Sequence, residues 1–146
     1  MNMKKLVLCV FSAMILGVTA VSFVSCDDSK EDIGFWEEMK WDVTSGQIAQ
    51  NGTYHILADG ETMTFNCKNY DSPWISDAIS GKECYYPNLE IDEYKKIESD
   101  WFLATMSGNQ LRITFEPNNT GEDRALELCV TGGDIFYTFK FKQKAE

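Results

Sequence analysis

From Thr53 onward, apolar residues recur at every second position, and turn signals separate short runs of this pattern. No other feature limits the fold as much. A period of two sends successive side chains to opposite faces of a strand. Tyr54, Ile56 and Ala58 alternate with His55 and Leu57; Met63, Phe65 and Cys67 alternate with Thr62, Thr64 and Asn66. Asp59-Gly60 lies between these runs. A type I′ turn needs positive φ at both central residues, so the pair predicts a hairpin there. Later, Leu111, Ile113 and Phe115 form one alternating set, Leu126, Leu128 and Val130 a second, and Tyr137, Phe139 and Phe141 a third. Pro117-Asn118-Asn119-Thr120-Gly121 and Gly132-Gly133 break the runs. Short strands at this spacing predict an all-β sandwich. No helix of useful length is expected, although residues 88–99, NLEIDEYKKIES, have room for one short turn. Residues 79–99 read as a long irregular connection carrying Tyr85, Tyr86 and Tyr94. Long loops on a rigid sandwich are where binding usually resides.

The first residues have a different character. Lys4 and Lys5 precede an apolar run from Leu6 to Val24, and Cys26 follows it. A run of about 19 residues is near the length that spans a bilayer, so a retained transmembrane helix is one reading and ordinary secretion another. Ser12, Gly17, Thr19 and Ser22 thin the run, and Cys26 stands where a lipobox cysteine would. Phe23 departs from the leucine usual in a lipobox. The pattern predicts a lipoprotein signal peptide at 1–25, an acidic tether at 26–40 and a folded domain at 41–146. Lipid on Cys26 would join the chain to a membrane, since two or more acyl chains anchor stably. Asp27, Asp28, Glu31 and Asp32 resemble the surface-export signal of lipoproteins in a Gram-negative gut phylum. The expected location is therefore the outer membrane, lipid-anchored and at the cell surface.

Charge narrows the partners. Cleavage would remove Lys4 and Lys5, leaving 11 basic against 23 acidic residues, or −12 over 121 residues. A phosphate backbone would repel such a chain, so nucleic acid is not an expected partner. Cys67, Cys84 and Cys129 are then the remaining cysteines. Three permit at most one pair, none lies in a CxxC motif, and small buried hydrophobes are the expected state. Cys67 falls on an inward face and Cys129 on an outward one, which argues against joining these two.

In order, the chain shows TFNCKNYDSPW ending at Trp74, SDWFLATMSG containing Trp101, LRITFEPNNTGEDR ending at Arg124, then LELCVTGG and FYTFKFKQ ending at Gln143. This series resembles the BACON domain, an immunoglobulin-like β-sandwich, from about Trp41 to Gln143. The resemblance implies about seven to eight strands. It also implies a structural motif of Trp74, Trp101, Arg124 and Gln143, and carbohydrate binding as the family name proposes. The stretch from Asp77 to Glu98 looks longer than the family connection. No catalytic module is expected after Gln143.

Trp74 and Trp101 are expected to pack on the sandwich rather than stack on sugar. Tyr85, Tyr86 and Tyr94 are the candidate ligand-binding residues; the competing reading is partial cover for the core. Trp41 is assigned to the first strand, and Trp36 to a cap on the sandwich or to its exposed surface. Asn118, Asn119, Glu122 and Asp123 offer oxygen ligands for calcium but lack the alternating spacing of a dedicated loop, so a plain turn is expected and no metal. Arg124 is expected to pair with a carboxylate or a turn carbonyl. His55 is the only histidine and faces away from the expected core. No nucleophile elbow accompanies it, and nothing brings two carboxylates into one cleft, so neither an enzyme nor a cofactor is expected. The sequence therefore predicts a surface lipoprotein whose module binds glycan or host protein. Its alternative is a structural spacer or docking subunit of an outer-membrane complex, with a protein partner in place of polysaccharide.

Overall fold

The computed structural model of the chain describes residues 36–146. The expected signal peptide, Cys26 and most of the expected tether lie outside the described residues. Ten strands form: β1 (Trp41–Ser45), β2 (Tyr54–Ile56), β3 (Glu61–Cys67), β4 (Trp74–Ser80), β5 (Glu83–Tyr85), β6 (Lys96–Glu98), β7 (Phe102–Ser107), β8 (Gln110–Phe115), β9 (Arg124–Thr131) and β10 (Phe136–Gln143). Sheet 1 has the order β1-β3-β8-β7-β6, and sheet 2 the order β2-β10-β9-β4-β5. The protein is an all-β sandwich of immunoglobulin-like character. The count exceeds seven to eight because β5 and β6, three residues each, add short strands within the segment expected to be irregular.

The alternating residues make the core. Sheet 1 turns Met63, Phe65, Phe102, Leu111 and Ile113 inward, and sheet 2 turns Ile75, Leu126, Leu128, Phe139 and Phe141 inward; all are buried. Burying each such side chain stabilises the fold by about 1.5–3 kcal/mol. Rings meet between the sheets: Phe65 lies 4.7 Å from Phe139, Phe115 5.1 Å from Phe141, and Trp41 edge-on to Phe139 at 5.0 Å.

Three local expectations are corrected. Asp59-Gly60 does not close a hairpin. β2 runs parallel to β10 in sheet 2, whereas β3 pairs with β1 and β8 in sheet 1. The Gly60 N–H donates to the Leu57 carbonyl (3.0 Å), and only Gly60 of the pair has positive φ (83°). The turn carries the chain from one sheet to the other. The positive φ at both central residues that a type I′ turn needs occurs instead at Asn51 (51°) and Gly52 (76°), between the bridged residues Gln50 and Thr53. Next, residues 79–99 are not one irregular connection. β4 and β5 form a hairpin in which Ser80 pairs with Glu83 and Gly81 takes φ 61°. A glycine at the first central position is the mark of a II′ turn. One turn of chain does form at residues 88–92, where the Asp92 N–H donates to the Asn88 carbonyl at 2.7 Å. Last, residues 36–40 belong to the fold rather than to the tether. Met39 is buried, and Tyr70 Oη donates to the Glu37 carbonyl (2.6 Å).

Candidate functional site

Trp74 is placed by a defect in β4. Trp74 pairs with Thr131 and Ile75 with Val130, but Asp77 is the next to pair, with Cys129. Ser76 is the extra residue of a β-bulge, and its hydroxyl donates to Asp77 Oδ2 at 2.8 Å. Counting back from buried Ala78, a regular strand would turn Trp74 inward. The bulge reverses the phase, because a one-residue slip exchanges the two faces. Ile75 is thereby buried, and Trp74 stands on the outer face, 36% exposed. The expectation that Trp74 packs in the core is corrected on this ground.

Tyr94 comes to the same place by another route. Glu93 (φ 44°) and Tyr94 (φ 63°) are consecutive non-glycine residues in the left-handed region. That conformation costs roughly 1–2 kcal/mol per residue, and such outliers cluster at functional sites. Backbone bonds to both sheets hold it. The Ile75 N–H of β4 donates to the Tyr94 carbonyl (2.9 Å), and the Met106 N–H of β7 to the Lys95 carbonyl (2.7 Å). A cavity of about 380 Å³ results, with Trp74, Tyr94, Pro73 and Met106 as its apolar wall and Ser72, Glu93 and Lys95 as polar lining. Lys95 Nζ lies 2.9 Å from Glu93 Oε2 and holds that carboxyl below its ordinary range. Tyr94 is 44% exposed.

The other two tyrosines lie apart from it. Tyr85 pairs with Ala78, three residues along β4 from Ile75, and meets Phe102 edge-on at 5.3 Å. Its hydroxyl donates to Glu83 Oε2 (2.5 Å); this bond and burial push the phenol up to about 12. It covers the core. Tyr86 is 71% exposed and follows β5. Only Tyr94 of the three lines the cavity, and its partner there is Trp74. Phe136, given no role from sequence, stands exposed on the outer face of sheet 2. The sequence signal was its phase, opposite to Tyr137 and Phe139.

Trp101, Arg124 and Gln143 form a separate cluster. The Arg124 guanidinium sits 4.4 Å over the Trp101 ring. Its Nε donates to Gln143 Oε1 (2.9 Å), and its Nη2 to the carbonyls of Glu116 (2.7 Å) and Pro117 (3.1 Å). Burial pulls its pKa below the ordinary arginine value. Gln143, 1% exposed, returns Nε2 bonds to the carbonyls of Leu57 (2.8 Å) and Glu116 (3.0 Å). Asn118 is also buried; its Nδ2 donates to the Glu122 carbonyl (2.9 Å) and its Oδ1 accepts from Thr120 Oγ1 (2.7 Å). The Asn-rich segment is thus a turn whose amide is already bonded. Trp74 takes no part in this cluster.

Trp36 is exposed, and His55 lies outward on β2. No group of His, Cys, Asp and Glu among the described residues is arranged to hold a metal ion. Cys67, Cys84 and Cys129 are free thiols. Cys67 is a buried hydrophobe as expected, but Cys84 is exposed, because it pairs with Ile79 on the outer face. Cys84 and Cys129 share that face with β4 between them, roughly 10 Å apart by strand spacing, beyond the reach of a disulfide.

No family model matches this chain, and no curated protein matches it. It is similar to a protein from Bacteroides thetaiotaomicron whose structure was determined by NMR. The two are 32% identical, superpose with a TM-score of 0.67, and align over 83% of this chain and 96% of that one. With that identity over nearly the whole of the other protein, this chain belongs to the same family as the Bacteroides thetaiotaomicron protein.

Proposed function

We propose that this chain is a surface lipoprotein whose sandwich is a non-catalytic, BACON-like module that binds glycan. The observation that carries the reading is the cavity between Trp74 and Tyr94. Two exposed aromatic faces flank a concave space of about 380 Å³, with a hydroxyl, a carboxylate and an ammonium group at hand. Sugars have flat C–H faces and a rim of hydroxyls, and a mainly apolar pocket with a few fixed polar groups suits both. The consecutive strained residues keep the cavity open before any ligand arrives, which lowers the entropic cost of binding. The lipobox pattern at Cys26 and the acidic run behind it support an anchored, surface location.

Two experiments test the reading. The full-length chain in detergent micelles is applied to a glycan array, and hits are titrated calorimetrically. Trp74→Ala and Tyr94→Ala are each expected to weaken binding about tenfold, the scale of an interface hot spot. Binding that survives both substitutions would sink the site. If the array stays blank while cross-linking in cells recovers an outer-membrane protein, the docking-subunit alternative takes its place. For the anchor, cells fed an alkyne fatty acid should label the chain, and Cys26→Ser should abolish the label.

A further inference from the structure

We infer that Phe136 extends the cavity into a row of three aromatic side chains that takes a neutral, extended, β-linked glycan lying across the strands of sheet 2. The inference rests on the glycan-binding reading and adds the polymer class and its direction. Phe136 pairs with Thr131, and Thr131 with Trp74. Cross-strand partners share a face, so the three side chains lie in one line, with Thr131 in the middle. Tyr94 continues it on the other side of β4, where its carbonyl accepts from Ile75. With strands roughly 4.8 Å apart, Trp74 and Phe136 are separated by roughly 10 Å, with Tyr94 about one strand spacing beyond Trp74.

That interval fits an extended β-1,4-linked hexose chain. Two rings of such a chain advance by a similar length, and alternate rings turn the same face to the same side. A chain across the strands therefore meets Trp74 and Phe136 with equivalent sugar faces. An α-linked chain coils and does not keep its faces in line. Thr131 is only 4% exposed, and its single hydroxyl hydrogen is shared between the carbonyls of Gly133 and Ile135, each 2.8 Å away. Phe136 itself is 60% exposed, a large apolar face in water. The next row holds Asp77 and Thr138 on either side of Cys129, which supplies groups for sugar hydroxyls. Charge selects against acidic polymers. Asp77 borders the row, Glu93 is already paired, and the whole chain carries a net charge of −10.

The test titrates the full-length chain in detergent micelles with cello- and manno-oligosaccharides from disaccharide to hexasaccharide. A malto-oligosaccharide series and a β-linked mannuronate series serve as controls. Within the series that binds, affinity is expected to rise at least tenfold from disaccharide to hexasaccharide. Phe136→Ala should remove about tenfold from the hexasaccharide and leave the disaccharide unchanged. Phe136→Tyr should restore the longer ligand, and Trp74→Ala should weaken both. Thermal melts of the Phe136 variants are expected to match the parent, since the side chain is exposed. Equal affinity at every length, or a hexasaccharide indifferent to Phe136→Ala, overturns the row and leaves the glycan reading standing. Preference for the malto- or mannuronate series overturns the proposed class. Absence of binding to every series overturns this inference, and a blank array beside it overturns the glycan reading as well.

Discussion

Gln143 shows how one polar side chain is kept inside an apolar fold. Its amide donates to carbonyls at the turn after β2 and at the end of β8, and its oxygen accepts from Arg124. Gln143→Leu retains the volume and leaves these partners without a mate. The expected cost is about 3 kcal/mol, read from urea unfolding, given 1–3 kcal/mol for each buried group left unsatisfied. A loss under about 1 kcal/mol would mean that water replaces the amide. Tyr85 gives a second test. Its phenol is raised to about 12 by the Glu83 bond, so the bond's contribution is complete below the unfolded value near 10 and fades as pH rises through about 12. Ultraviolet titration of the parent minus Tyr85→Phe should show one phenol ionising near 12, and Glu83→Gln should move it down. Sequence gave little help in separating the tyrosines. Tyr85, Tyr86 and Tyr94 stand in one polar segment, and their different fates depend on a hairpin, marked in the sequence by Gly81 alone, and on two left-handed residues, Glu93 and Tyr94, that leave no mark in the pattern.

At the scale of elements, alternation located β2, β3, β8, β9 and β10, each of which turns one face into the core. It was blind to the Ser76 bulge, which breaks the period it relies on. It also misassigned Asp59-Gly60, since turn chemistry alone does not say whether the flanking strands pair with each other or part to different sheets. Gly60 and Gly52 make the difference measurable. Both have positive φ, but a Cβ on Gly60 would collide with the Phe115 carbonyl oxygen, whereas Gly52 has nothing within 4 Å. Gly52→Ala should cost about 1 kcal/mol, the left-handed penalty alone. Gly60→Ala should cost at least 2 kcal/mol more, since backbone of β8 has to shift. Equal melting temperatures for the two variants would refute this account of the crossover.

For the molecule as a whole, the three free thiols among the described residues report on the sandwich. Cys84 on the edge strand should react with a thiol reagent in the native state, Cys129 slowly, and Cys67 only on unfolding. Cys84→Ser should remove the fast phase; a fast phase that remains would contradict the placement of β5. The arrangement of sheet 2 also bears on how the chain can be made. β10, the last strand, lies between β2 and β9, and it pairs in parallel with a segment some ninety residues upstream. Contacts between such distant segments slow folding. A ribosome-bound or half-translocated chain that still lacks β10 has nothing to join β2 to the rest of sheet 2, and Tyr54 and Phe65 are without Phe139 and Phe141. The domain therefore assembles only once Phe136–Gln143 is available, so a chain threaded through a membrane pore from its N-terminus passes the nine earlier strands before it can fold.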